Sequence, residues 1–239
     1  MIEVLVLAGG QGTRLKARVP DLPKPMAPVA GRPFLEYLLD RIVDCGFDRI
    51  TLSVGYRADL IQAHFGRSYR GARIRYVVET EPLGTGGAVA FAMSQAGDAS
   101  CLVLNGDTFL DVDLRALLSW YREQPEDIAM VLANVPDLAR YGAVTTRDGR
   151  VTGFVAKGQS GPGAINAGVY VIRAGVFARF GLEGRFSLES DLLQAHCAAL
   201  LPRAFVTDAF FIDIGVPEDF DRAQRLFDAA RPGGRPGSA

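Results

Sequence analysis

Histidine is nearly absent from this chain. Its 239 residues hold only two, His64 and His196. They are far apart in sequence and form no histidine motif. Each reads as an ordinary surface or helix residue. Cysteine is scarce too. Cys45, Cys101 and Cys197 are odd in number and have no metal-ligand spacing. Cys45 and Cys101 lie within apolar patterns, and the three read as reduced, buried thiols rather than a disulfide frame. Net charge is also lacking, since 26 Lys and Arg stand against 27 Asp and Glu. No global field would recruit nucleic acid or an anionic membrane, so basic groups at a site must act locally. No apolar run approaches membrane-spanning length, and the amino terminus has neither a basic region nor a cleavage site. These absences lead us to expect a soluble, cytoplasmic protein. The composition does not fix its oligomeric state.

What is present is a hydrophobic fraction of 49%, enough for a large core. Short apolar runs alternate with helical patterns. IEVLVLA (2–8), ITLSVG (50–55), IRYVVE (74–79), CLVLNGD (101–107) and DIAMVLANV (127–135) read as strands. Between them, Phe34, Leu38, Leu39, Ile42 and Cys45 share one helical face, stopped by Gly46. Helices are also expected over 57–65, 86–95 and 114–123, with Asp113 as the amino-terminal cap of the last. This alternation predicts an α/β fold with a mostly parallel sheet flanked by helices. The second half is less regular. GAVTT (142–146) and VTGFVA (151–156) flank the hairpin signal Asp148-Gly149. AINAGVYVI (164–172) and FFIDIG (210–215) read as strands, and 188–201 and the stretch from Pro217 as helices. We expect one domain over 1–230, divided into a front part of about 1–135 and a small mixed part of about 136–230. The Gly/Pro-rich 231–239 reads as a disordered tail.

The densest signal is LAGGQGTRL at 7–15, directly after the first strand. Backbone amides at Gly9, Gly10 and Gly12, with the cations Arg14 and Lys24, make a cradle suited to a nucleoside triphosphate. The dinucleotide fingerprint needs a third glycine that is missing. The P-loop needs Gly-Lys-Ser/Thr, but here Thr13-Arg14 follow Gly12.

The whole set of blocks resembles the sugar-phosphate nucleotidylyltransferase family. LAGGQGTRL pairs with LPKPM (22–26). EPLGTGGA (81–88), LNGD (104–107), YGAV (141–144), NAGVY (166–170) and FIDIG (211–215) follow in the family's order. LPKPMAPVAGRPFLEYLL and PLGTGGA most resemble the D-glycero-α-D-manno-heptose 1-phosphate guanylyltransferases. The resemblance implies a Rossmann-like fold and an Mg²⁺-dependent reaction. A sugar 1-phosphate and an NTP, GTP favoured, would give an NDP-sugar and pyrophosphate. It implies that Arg14, Lys24 and Asp107 are catalytic, with Arg14 on the β/γ-phosphates and Lys24 on the α-phosphate or sugar phosphate. Asp107 and Asp213 would share the Mg²⁺. Leu7, Ala8, Gly9, Gly10, Gln11, Gly12, Thr13, Glu79, Gly84 and Thr85 would bind the nucleotide. Asn105, Gly142, Lys157, Asn166 and Glu189 would bind the sugar.

Chemistry sharpens one of these roles. Guanine presents N1–H and the 2-amino group side by side, and a single carboxylate can accept both. Glu79 before the Pro-Leu-Gly-Thr turn therefore favours GTP, with Glu81 a competing candidate. The chain departs from the family at Ala156-Lys157, where many members carry Glu-Lys. Either another group binds that sugar hydroxyl or the sugar differs. Three alternatives remain open at this level: a mannose-1-phosphate guanylyltransferase, a UTP- or CTP-using relative, and a catalytically silent regulatory subunit. A silent subunit would be expected to lose one of Arg14, Lys24, Asp107 or Asp213, and all four are present.

Overall fold

The computed structural model describes residues 2–10, 12, 15, 18–97 and 99–229. Gln11, Thr13, Arg14 and the 231–239 tail, all singled out above, lie outside the described residues.

The front half starts with β1 (Glu3–Leu7). A short 3₁₀ turn at Lys24–Met26 follows, then the two-residue strands β2 (Pro28–Val29) and β3 (Arg32–Pro33), and α1 (Phe34–Asp44). Next come β4 (Arg49–Val54), α2 (Ala58–Phe65), β5 (Ser68–Tyr69), β6 (Ala72–Val78) and α3 (Gly84–Ala96). β7 (Ser100–Asn105), β8 (Thr108–Leu110), α4 (Leu114–Glu123) and β9 (Ile128–Val135) complete it. The second half runs through β10 (Ala143–Arg147), β11 (Arg150–Val155), β12 (Gly163–Arg173) and α5 (Gly175–Arg179). A π-helical segment at Leu188–Gln194, α6 (Cys197–Leu200), β13 (Arg203–Thr207), β14 (Phe211–Asp213) and α7 (Pro217–Ala229) end it.

One ten-stranded sheet carries both halves, in the order β10-β11-β13-β9-β12-β7-β1-β4-β6-β5. β7, β1, β4 and β6 are parallel neighbours. Their side chains alternate between two separate cores. Val4 and Val6 pack on one face, and Leu5 on the other. Both faces are covered, which is why these strands read as continuous apolar runs. β12 then inserts antiparallel between β7 and β9 and joins the halves. The mixed portion is therefore a continuation of the same sheet and holds more strands than the sequence pattern suggested.

Local signals mostly landed where expected. The Asp113 carboxylate accepts the Arg115 and Ala116 amides at 2.8 and 3.0 Å. Asp148 and Gly149 both take positive φ, 51° and 72°, as a two-residue hairpin requires. Two expectations need correction. The helix over 188–201 is a π-helical segment followed by a separate α6. Cys45 is half-buried rather than buried, while Cys101 and Cys197 are buried. β13 was not anticipated, since RAFVT is too short and mixed to stand out from a loop. No helix among the described residues is long and apolar enough to cross a membrane.

Candidate active site

At the carboxyl ends of β1 and β7 the chain builds two cavities. The first, about 730 Å³, runs over Leu7, Gly9, Gly10 and Lys24 to Glu79, Gly84 and Thr85. The second, about 520 Å³, is lined by Gly142, Lys157, Asn166, Glu189 and Asp213 among others. Thr85, Asn105 and Asp107 belong to both. The two spaces thus adjoin at a strand-end carboxylate, the usual ligand position of an open α/β sheet.

Asp107 sits there because Gly106 donates its amide to the Leu7 carbonyl at 2.9 Å and ties the two strand ends together. Asp213 arrives from the far end of the chain. β14 pairs antiparallel with β8, placing Asp213 opposite Thr108, and the Ile214 amide reaches the Asp107 carbonyl at 3.0 Å. Lys24 lies between the two acids. Pro23 and Pro25 hold its turn, and its side chain is only 10% exposed. The ammonium donates to Asp107 and lies 3.7 Å from Asp213 Oδ1. Desolvation and the neighbouring Asp107 charge raise the Asp213 carboxyl above its ordinary value, against the pull of Lys24.

Hard carboxylate oxygens from two strand ends suit Mg²⁺, which favours one or two carboxylates plus substrate phosphates over an all-protein cage. Among the described residues no group of three or more His, Cys, Asp or Glu side chains could hold a metal ion.

In the first cavity, Glu79 is held by two donors. The Ser53 hydroxyl donates to Oε1 at 3.1 Å and the Leu83 amide to Oε2 at 3.2 Å. Gly9 admits this arrangement, since a Cβ there would lie 3.0 Å from Glu79 Oε1. Each carboxylate oxygen keeps further acceptor capacity toward the cavity. Glu81 also lines it. The glycines of the GTGG run have a packing purpose. The Gly86 and Gly87 amides donate to the Phe186 carbonyl at 3.0 and 3.2 Å. A Cβ on Gly87 would come within 2.2 Å of the Gly184 carbonyl oxygen. Ala8 is buried beneath the turn, with its amide on Ser53 O at 2.7 Å, and is not a wall residue. Gly12 packs against the Lys24 side chain instead.

In the second cavity, Asn166 is committed inside the protein. Its Nδ2 donates to the Tyr170 hydroxyl at 2.7 Å and to Glu189 Oε1 at 2.8 Å, while Oδ1 accepts the Gly168 amide at 3.1 Å. Glu189 is thereby oriented, and its carboxyl is raised by desolvation and by Asp107. Arg140 pairs with the nearly buried Asp219 at 2.7 Å and anchors the Tyr141-Gly142 wall to α7.

Sequence reasoning missed three residues here. Tyr170 is buried beneath the second cavity, with its hydroxyl accepting from Asn166. Arg185 brings a cation to the first cavity. Gln194 lines the second. Tyr170 lay inside the NAGVY block, whereas Arg185 and Gln194 carry no motif. The two histidines are elsewhere: His64 bonds Glu36 at 2.7 Å, and His196 stacks on Phe180.

The nucleotidyl transferase family profile matches residues 3–229. A D-glycero-α-D-manno-heptose 1-phosphate guanylyltransferase of Aneurinibacillus thermoaerophilus is 40% identical over 94% of this chain and 97% of its own. The enzyme of that name from Campylobacter jejuni is 38% identical, covering 92% and 97%. The crystal structure of HddC from Yersinia pseudotuberculosis complexed with GMP-PN superposes with a TM-score of 0.84 at 36% identity. That match covers 95% of this chain and all of the other. The chain belongs to the nucleotidyl transferase family, among its sugar-phosphate nucleotidylyltransferases.

Proposed function

We propose that this protein transfers a guanylyl group from GTP to D-glycero-α-D-manno-heptose 1-phosphate, releasing pyrophosphate. The observation that carries the reading is the pair of adjoining cavities with Lys24, Asp107 and Asp213 at their junction. The choice of GTP and heptose rests on the guanylyltransferases that the chain resembles over nearly its full length, and on Glu79.

The attacking group is a phosphate oxygen that is already ionised at neutral pH. It forms a bond to the α-phosphorus of the nucleotide, and the α–β bridging bond breaks with its electron pair leaving on pyrophosphate. No general base is required, which suits a site without histidine. The protein's work is alignment and charge neutralisation. Lys24, held between Asp107 and Asp213, is assigned to balance the phosphate being attacked. Arg14 is assigned to the departing pyrophosphate on the sequence motif. Arg185 extends the positive wall of the first cavity. Asp107 and Asp213 would hold Mg²⁺, which when bound neutralises triphosphate charge. Glu79, pre-oriented by Ser53 and Leu83, accepts the guanine N1–H and 2-amino protons. Glu189 and Lys157 face the sugar.

The test is kcat/KM for GTP, ATP, UTP and CTP against a panel of sugar 1-phosphates, by pyrophosphate release. GTP with the heptose 1-phosphate is the expected best pair. Glu79→Gln should shrink the preference for GTP by about 1–3 kcal/mol, because part of the guanine edge is left unpaired in a desolvated pocket. A wild-type preference for UTP or CTP would contradict the guanine assignment. An unchanged preference in Glu79→Gln would move base reading to Glu81 or to backbone groups.

A further inference from the structure

The second cavity contains a polar side chain that the reaction has not yet used. We propose that Gln194 is a specificity-determining residue, whose amide hydrogen-bonds a hydroxyl of the acceptor sugar. The inference rests on the sugar 1-phosphate reading above and extends it to a residue with no motif.

The local backbone puts Gln194 on the cavity wall. In an ordinary α-helix, residues five apart point about 140° away from each other. Over Leu188–Gln194 the helix is π, and the Ala195 amide bonds the carbonyl five residues back, Ser190 O, at 3.2 Å. Residues i and i+5 then stack on one side. Glu189 and Gln194 are such a pair, and both line the cavity. Leu192 and Leu193 are buried in the core, which fixes the segment's rotation. Its start is pinned as well. The Ser187 hydroxyl accepts the Ser190 amide at 3.2 Å, and the Leu188 amide donates to Thr85 Oγ1 at 2.9 Å. Wide helical turns of this kind occur frequently at functional sites.

The polar inventory of the cavity points the same way. Asn166 has spent both amide protons on Tyr170 and Glu189. Position 156 is an alanine and offers no hydroxyl partner. Glu189 and Lys157 supply a charge of each sign. Gln194, an exposed residue on the cavity wall, supplies a neutral donor and acceptor side by side. A carboxamide matches a sugar hydroxyl, which also donates and accepts. Gln194 thus offers the same cavity a neutral hydroxyl partner that Ala156 cannot.

Gln194→Met keeps the length and approximate volume of the side chain but removes the amide. Gln194→Ala is a second variant that retains a good helix former. Both should raise KM for the preferred sugar 1-phosphate about tenfold, while KM for GTP moves less than twofold. Both should also narrow the preference between that sugar and its competitors. A rise in both KM values together with a lowered melting temperature would mean a structural role and overturn the inference. Acceptor KM within twofold of wild type would overturn it too, with the proposed function intact. If wild type released no pyrophosphate with any sugar 1-phosphate, the functional reading itself would fall, and this inference with it.

Discussion

Asp213→Asn should lower kcat by about a hundredfold or more and, in metal-free buffer, raise the melting temperature. The activity loss would follow from taking a negative oxygen away from the hard cation that would neutralise the substrate phosphates, worth roughly 3 kcal/mol of transition-state stabilisation. The stability gain follows from the folded state of the free protein. Asp213 is partly desolvated beside Asp107, and both effects push its carboxyl up from 3.8. A carboxyl that holds its proton more tightly folded than unfolded costs stability once it ionises. The cost is absent below the unfolded value and grows as pH rises from 3.8 through the folded value. The variant's advantage should therefore be full at pH 7 and vanish toward pH 3.5. Thermal melts with EDTA at several pH values measure it. A variant less stable than wild type at pH 7 would refute the electrostatic account, and near-normal turnover at limiting Mg²⁺ would refute the metal assignment.

Lys24→Met should damage activity on the same scale and stability in the opposite direction. The ammonium is nearly buried and is shared by Asp107 and Asp213. Removing it leaves two neighbouring carboxylates facing each other without the cation. Both acids are more than a third exposed, so water screens part of the repulsion. A loss of about 1–3 kcal/mol in the metal-free protein is expected rather than the larger cost of a fully buried pair. kcat should fall on the order of a hundredfold or more, because the phosphate charges at the point of transfer lose their counter-ion. Saturating Mg²⁺ should restore part of the stability and little of the rate. Activity within tenfold of wild type would remove Lys24 from the catalytic group. The two variants together separate roles that activity alone would merge, since both are inactive and their melting temperatures diverge.

The reasons for legibility differ from residue to residue. Lys24 stood out through the P-K-P element of the family resemblance, and its place between Asp107 and Asp213 is visible only in the fold. Asp107 was readable because it ends an apolar strand. Asp213 ends a strand too, yet its nearness to Asp107 depends on the antiparallel pairing of β14 with β8, a contact between residues about a hundred positions apart. Asn166 stood within a recognisable block, but only the coordinates reveal that its amide holds Glu189 and Tyr170. The π-helical turn was hidden for a physical reason. A sequence of leucines and polar residues satisfies a 3.6-residue period about as well as a wider one, and the capping at Ser187 and the tie to Thr85 decide between them. The parallel half of the sheet was legible because both of its faces are buried. β13 and the antiparallel half were less so, since half-exposed short strands such as Arg203–Thr207 look like loops.

The most direct check is ³¹P NMR of the protein with GTP, Mg²⁺ and D-glycero-α-D-manno-heptose 1-phosphate, with mass spectrometry of the product. The account predicts that the GTP and sugar-phosphate resonances decline together, and that pyrophosphate and a GDP-sugar appear in equal amounts only when both substrates are present. Release of GDP and inorganic phosphate, or no reaction with any sugar 1-phosphate, would contradict it.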